Sequence, residues 1–277
     1  MMLTEKRVGV IGWPVTHSLS PAMHNAAFRE LGLTDWMYDL VPIPPDIVRQ
    51  GLRELREEGG YVGVNVTVPL KQAVMPYVRP DEIAQAVGAV NTITFRDLSG
   101  TNTDVAGFIG DLQAHDVSLK GAKVVLLGAG GAARAAIYGL AQEGAHIAIS
   151  NRTTEKAQQI INELDIEAQT LTLEQAAEWG AELIVNCTSV GMWPNVDGCL
   201  WPDEMPFPHG VTLYDMVYRP QVTRLMELAE ANGGRAIGGA GMLVRQGAAA
   251  FTRWTGHDAP IEVMAAALQD ALAAREH

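Results

Sequence analysis

With 277 residues, 48% of them apolar, the chain is long enough for one large domain or two ordinary ones around a sizeable core. A formal net charge of −12, with no basic run, argues against nucleic acid and anionic membrane surfaces as main partners. The amino terminus lacks the basic and apolar regions of a signal peptide and no segment approaches ~20 uninterrupted apolar residues, so the expectation is a soluble, cytoplasmic protein. In that compartment the N-x-T triplets at Asn65, Asn151 and Asn186 are not glycosylation sites. Cys187 and Cys199 have no His or Cys at ligand spacing, and no metal is expected.

Along the chain, KRVGVIGW (6–13) reads as a strand, SPAMHNAAFRELG (20–32) as a helix started by Ser20 and Pro21, and WMYDLVPI (36–43) as a second strand. A helix over PPDIVRQGLRELREEG leads to the strand YVGVNVTVP, and after a short helix GAVNTITF (88–95) reads as another strand. This α/β order implies an open, mainly parallel sheet. In the stretch GVNVTVPLK (63–71), Val64, Val66 and Val68 share one face while Asn65 and Thr67 share the other, and Pro69 stops the strand just before Lys71. Alternation of this kind fits a strand whose polar face meets water, or one whose polar face reads a ligand.

A helix over 104–116 precedes a second unit starting near Gly121. Residues 123–152 combine an apolar run, a glycine turn, an alanine-rich helix and a second apolar run, a βαβ unit of about thirty residues. Further strands are expected within 181–192 and 210–218. The helices over 241–256 and 260–277 have no strand to pair with in this unit and are expected to fold back onto the first domain.

Gly128-Ala129-Gly130-Gly131-Ala132-Ala133 fills the dinucleotide fingerprint, with Ala133 at the third small position. The first glycine allows the tight turn, the second lets backbone approach a pyrophosphate, and the small third residue lets helix and strand pack. The second strand ends in Ser150-Asn151-Arg152-Thr153, without the carboxylate that binds a ribose 2′-hydroxyl in NAD sites. Arg152 suits a 2′-phosphate, with Asn151 and Thr153 as hydrogen-bonding neighbours, which favours NADP. The alternative is a surface arginine beside a helix cap at Asn151 or Thr153.

The motifs HSLSPAMHN (17–25), NVTVPLK (65–71), GAVNTI (88–93), TNTD (101–104), GAGGAARA (128–135), NRT (151–153), TSVGM (188–192) and GGAGMLVRQ (238–246) run nearly end to end, and through them the chain resembles the NADP-dependent shikimate dehydrogenase family. The resemblance implies a discontinuous substrate domain, 1–103 plus 241–277, and a Rossmann-type NADP domain, 104–240, with the active site in the cleft between them. It implies reversible reduction of 3-dehydroshikimate to shikimate in aromatic amino-acid biosynthesis, by a monomer or homodimer acting on a small molecule. Residue by residue, it matches Lys71 and Asp104 to the catalytic pair, and Ser18 and Ser20 to the serines that hold the substrate carboxylate. Asn65, Lys71, Asn91, Asp104 and Gln246 match groups around the ring hydroxyls, with Thr67 and Tyr218 as further substrate contacts. Gly128, Ala129, Gly130, Gly131 and Ala132 match the phosphate turn, Asn151, Arg152 and Thr153 the 2′-phosphate site, and Thr188 and Met242 positions near the nicotinamide. Two departures stand out: Val105 follows Asp104 where the family has glycine, and Tyr218-Arg219-Pro220 replaces its usual Y-N-P.

Such a substrate, a small ring with a carboxylate and hydroxyls, calls for many fixed donors and acceptors and little apolar area. Lys71, charged at neutral pH with an unperturbed pKa near ~10.4, suits the acid that protonates a new alkoxide, with Asp104 orienting it. Taken singly, each residue also has a structural reading: Ser20 as a helix N-cap, Asn91 as a turn residue, Gln246 as a surface residue, Lys71 as a solvated lysine. His17 and His24 are left out of catalysis, because His24 sits in an amphipathic helix and is expected to pack there. Competing functions are a quinate/shikimate dehydrogenase with broader substrate or NAD use, and a catalytically silent NADP-binding sensor.

Overall fold

The computed structural model describes residues 5–275, so the last two residues of the helix expected over 260–277 lie outside the described residues. The chain forms two compact units: the residues up to Gly107 together with those from Leu243 on, and Phe108–Met242. The expected boundary at 103/104 lies at the start of a helix that the division crosses four residues later. Among the described residues no helix is long and apolar enough to cross a membrane, and no group of three or more His, Cys, Asp or Glu is placed to hold a metal.

In the first unit the order is β1 (Lys6–Gly12), α1 (Ser20–Glu30), β2 (Trp36–Pro42), α2 (Val48–Glu57), β3 (Tyr61–Val66), α3 (Leu70–Ala73), β4 (Arg79–Pro80), α4 (Glu82–Val87), β5 (Thr92–Thr94) and β6 (Ser99–Thr101). Its sheet has the order β2-β1-β3-β5-β6-β4. The β2, β1 and β3 strands run parallel, β5 is antiparallel to both β3 and β6, and β4 pairs with β6 in parallel. On one face, Val64 and Val66 pack with Leu52 and Leu55 of α2. The opposite face carries Gly63 and Asn65, as a period of two requires. A Cβ at Gly63 would run into the Ile93 carbonyl and the Trp254 indole, whose Nε1 donates to that carbonyl at 3.1 Å, so only glycine fits.

Two expected strands are shorter than their patterns suggest. Strand β3 ends at Val66, and Val68, expected on the apolar face with Val64 and Val66, is 66% exposed. Pro69 cannot donate to a ladder, and the chain turns there into α3. Of residues 88–95 only Thr92–Thr94 form a strand. Gly88 closes α4 in the left-handed region at φ +68°, and the backbone of Asn91 is tied to Val66 and Thr101.

The second unit follows α5 (Thr103–Ala114), which spans the division, and runs β7 (Lys123–Leu127), α6 (Gly131–Gln142), β8 (His146–Ser150), α7 (Thr154–Leu164), β9 (Ala168–Leu171), α8 (Leu173–Glu178), β10 (Leu183–Asn186), β11 (Thr212–Asp215), α9 (Arg224–Ala231) and β12 (Arg235–Gly238). All its strand pairs are parallel, in the order β12-β11-β10-β7-β8-β9. Read from the other edge this is the doubly wound dinucleotide-binding order, which reverses beside β7. The chain closes with α10 (Ala240–Thr255) and α11 (Ile261–Ala273). Phe251 stacks on Phe28 of α1 at 5.1 Å, and Met264, Leu268 and Leu272 of α11 are buried. The fold is thus α/β with two sheets.

Candidate functional site

In the first unit the polar side of β3 meets other chain segments rather than water. Asn65 stands at the carboxyl end of β3, level with Val10 of β1 and Thr92 of β5, and is buried. Its Nδ2 donates to the Asn91 carbonyl at 3.3 Å and to Thr92 Oγ1 at 3.0 Å. Asn91 donates from Nδ2 to Thr103 Oγ1 at 2.9 Å and to Asp104 Oδ1 at 2.8 Å. Its Oδ1 accepts from the Thr103 amide at 2.7 Å and from the hydroxyls of Thr92 and Thr103. Asn91 is therefore saturated inside the protein, and any ligand hydroxyl would have to compete for one of these bonds.

Asp104 lies in the first turn of α5, where the helix dipole favours a carboxylate. Its other oxygen, Oδ2, accepts from Lys71 Nζ at 2.6 Å. The side chains of Lys71 and Asp104 are 15% and 7% exposed, so this pair is largely withdrawn from solvent. Lys71 projects from α3, and its own carbonyl accepts from the Val90 amide at 2.9 Å, which fixes the backbone beneath it. Val105 follows in the same turn and leaves the Asp104 contacts in place. The solvated-lysine alternative does not describe this geometry.

Ser18 and Ser20 lie after β1, their hydroxyls 3.2 Å apart. Leu19 takes the N-cap position of α1 without a side-chain bond, so Ser20 is the first helical residue rather than its cap. Thr67 follows β3, with its amide on the Ile11 carbonyl at 2.8 Å, and Gln246 is buried in α10, donating to the Leu243 carbonyl at 2.8 Å. The sequence motifs did not single out Tyr38 of β2, whose hydroxyl donates to Asn65 Oδ1 at 2.7 Å. A tyrosine beside a lone aspartate in a strand of mostly apolar residues was the available signal. Burial pushes its phenol above the ordinary range, and a hydrogen bond with Ser20 pulls the other way, so it stays protonated as a donor. His24 stacks on its ring at 4.2 Å; the imidazole is buried without a hydrogen-bond partner, and burial lowers its pKa to about 3. It is a neutral packing group, as expected of the helix position.

In the second unit Gly128 leaves β7 at φ +108°, with its amide on the Ser150 carbonyl at 2.8 Å, and a Cβ there would press on the Thr188 methyl. Gly130 caps α6, Ala129 is packed against the core, and Ala133 is fully buried between helix and sheet. A Cβ at Gly130 or Gly131 would meet open space, so the backbone amides that open α6, including that of Ala132, border a clear volume. This suits a pyrophosphate at a helix N-terminus. Beyond β8, Asn151 Nδ2 holds the Thr153 carbonyl at 2.7 Å, and Thr153 occupies the N-cap of α7 without a side-chain bond. Arg152 between them is exposed, with no ion-pair or hydrogen-bond partner among the described residues. These residues fit a 2′-phosphorylated dinucleotide: a clear helix N-terminus, an available guanidinium and no carboxylate at the strand end.

Thr188 is held by Asn186, whose Oδ1 accepts its amide at 2.9 Å and its hydroxyl at 2.8 Å. Asn186 in turn donates to Asp215, which also accepts from Thr223 at 2.7 Å; burial raises the pKa of Asp215. Tyr218 lies on the loop after β11, where Arg219 stacks over Trp193 at 4.2 Å, and Met242 is buried in the core of this unit. The structure thus joins Asn65, Asn91, Asp104 and Lys71 into one network in the first unit. It gathers the glycine turn, residues 151–153 and Thr188 around β7, β8 and β10 in the second.

Comparison with known proteins finds matches in both units. Residues 10–93 match the shikimate dehydrogenase substrate binding domain, residues 111–192 the shikimate / quinate 5-dehydrogenase family, and residues 239–269 the shikimate 5′-dehydrogenase C-terminal domain. The chain is 44% identical to the NADP(+) shikimate dehydrogenase of Methanopyrus kandleri, over 96% of this chain and 95% of that protein. It is 42% identical to that of Haloarcula marismortui, over 95% and 98%. Shikimate 5-dehydrogenase from Thermus thermophilus, solved in complex with NADP(H) and shikimate, superposes with a TM-score of 0.87 at 39% identity, covering 96% of this chain and 99% of that one. A buried polar network around Lys71 and Asp104, a glycine turn that opens α6 and relatives matched over nearly their whole length lead to one conclusion: the chain belongs to the NADP-dependent shikimate dehydrogenase family.

Proposed function

We propose that the protein catalyses the reversible NADPH-dependent reduction of 3-dehydroshikimate to shikimate, as a cytoplasmic enzyme of aromatic amino-acid biosynthesis, monomeric or homodimeric. The observation that carries this reading is the 2.6 Å Lys71–Asp104 pair, built into a wall of asparagine and threonine side chains in a family of NADP-dependent enzymes. When bound, the nicotinamide supplies or accepts the hydride. In reduction Lys71 hands a proton from Nζ to the ring oxygen that gains charge; in oxidation its neutral amine takes that proton back. Asp104 orients Nζ and accepts from a neighbouring ring hydroxyl, and Asn91 holds Asp104. Ser18 and Ser20 donate to the substrate carboxylate, while Asn65, Thr67, Tyr218 and Gln246 complete the recognition of the ring. Gly128, Ala129, Gly130, Gly131 and Ala132 cradle the pyrophosphate, Asn151, Arg152 and Thr153 hold the 2′-phosphate, and Thr188 and Met242 border the nicotinamide.

The test is turnover of the purified protein on shikimate and on quinate, each with NADP and with NAD, followed at the absorbance band of the reduced nicotinamide. The expected result is efficient turnover only with shikimate and NADP. Preference for quinate or NAD, or no turnover with any pair, overturns the proposal.

A further inference from the structure

Tyr38 has two contrasting surroundings. Its ring lies in the aromatic layer of the first unit, 4.2 Å from His24 and 6.3 Å from Trp254, and is buried. It sits level with Val8 of β1, and Val8 is level with Gly63 of β3, so the ring passes over small neighbours to Asn65, two residues further along β3. There its hydroxyl donates to Asn65 Oδ1.

The direction of that bond follows from the groups around it. The Asn91 carbonyl can only accept, so it requires the Asn65 NH₂ on its side, and the amide oxygen is left facing Tyr38. Thr92 Oγ1 takes the second amide proton and passes its own to Asn91 Oδ1. Asn91 donates to Asp104 Oδ1, and Lys71 donates to Asp104 Oδ2. Every donor from Tyr38 to Asp104 thus points the same way. At the other end the Tyr38 phenol meets Ser20, which is paired with Ser18. After these bonds Asn65 retains one acceptor lone pair and no proton.

We infer that Tyr38 is a positioning residue of the substrate wall: its hydroxyl fixes the Asn65 amide so that this position accepts from a ring hydroxyl and discriminates against a group that can only accept. This rests on the proposed function of the wall, and Tyr38 itself touches neither substrate nor cofactor. Without the hydroxyl, Asn65 Oδ1 loses its buried partner, the amide is held only through its NH₂ by Asn91 and Thr92, and it turns more readily.

Tyr38→Phe keeps the ring and its stacking and deletes only the donor. The expected result is a KM for shikimate raised at least fivefold, a KM for NADP within twofold of wild type, and a kcat that falls less than KM rises. In an Asn65→Ala background the same substitution should change the shikimate KM by less than twofold. Proton exchange of the Asn65 side-chain amide, read by NMR on the ligand-free proteins, should be at least tenfold faster in Tyr38→Phe. Unchanged exchange overturns the inference whatever the kinetics, as do independent, multiplicative effects in the double variant. A wild type that does not turn over shikimate while exchange still accelerates refutes the proposed function and leaves the positioning role standing.

Discussion

Lys71 and Arg152 are both cations on short segments after strands, but their surroundings separate their roles. Lys71 is enclosed and shared with Asp104, whereas Arg152 is exposed. Lys71→Met keeps much of the apolar stem and deletes the ammonium, so kcat should fall by about 10²-fold or more, the usual contribution of a positioned acid. NADP binding, measured by calorimetry, should stay as in wild type. Turnover within a few-fold of wild type across pH 6 to 10 would remove Lys71 from proton transfer. Arg152→Ala should raise the KM for NADP at least tenfold and change that for NAD little, because only NADP carries the 2′-phosphate. Equal losses with both cofactors would instead assign Arg152 to the shared part of the nucleotide.

At the scale of elements, α1 carries a buried histidine on its inner face, packed among Phe28, Tyr38, Phe251 and Trp254. Burial lowers the His24 pKa from 6.5 to about 3. The unfolded chain therefore takes up this proton first as pH falls. The stability linked to His24 is complete above about pH 6.5 and drains away by about 1.4 kcal/mol per pH unit down to about pH 3. His24→Phe keeps an aromatic ring and removes the titration. Between pH 7.5 and pH 5 the wild type should lose about 2 kcal/mol more than this variant in urea unfolding. Equal losses would mean that the native imidazole protonates as easily as the unfolded one.

For the whole molecule, the closing helices decide whether the first unit has a second core face. Phe251, Trp254, Met264, Leu268 and Leu272 are all buried and all lie beyond Met242. At about 1.5–3 kcal/mol for each large side chain fully buried, these five together match the roughly 5–15 kcal/mol by which folded proteins are stable. A chain ended after Met242 should therefore fail to fold its first sheet. Loss of shikimate binding together with exposed apolar surface, read by dye binding, would bear this out. A truncated protein that still binds shikimate would show that β1–β3 and α1 need no cover from α10 and α11.

Much of this protein is legible in the sequence because its signals are local. The glycine turn needs only Gly128, Gly130 and a small residue at 133 between a strand and a helix, and a cofactor preference follows from the side chains at 150–153. The polar face of β3 is visible as alternation within a few residues. What joins that face to the chemistry is not local: Lys71 and Asp104 are 33 positions apart, and Tyr38 and Asn65 27. The short strands β4, β6, β9 and β12, and the antiparallel direction of β5, carry too few residues for a pattern of their own and depend on their neighbours in the sheet. Local pattern is enough to say which chemical groups stand at the strand ends. Which donor meets which acceptor depends on the fold, because hydrogen bonding requires the packed positions of segments that composition and periodicity describe one at a time.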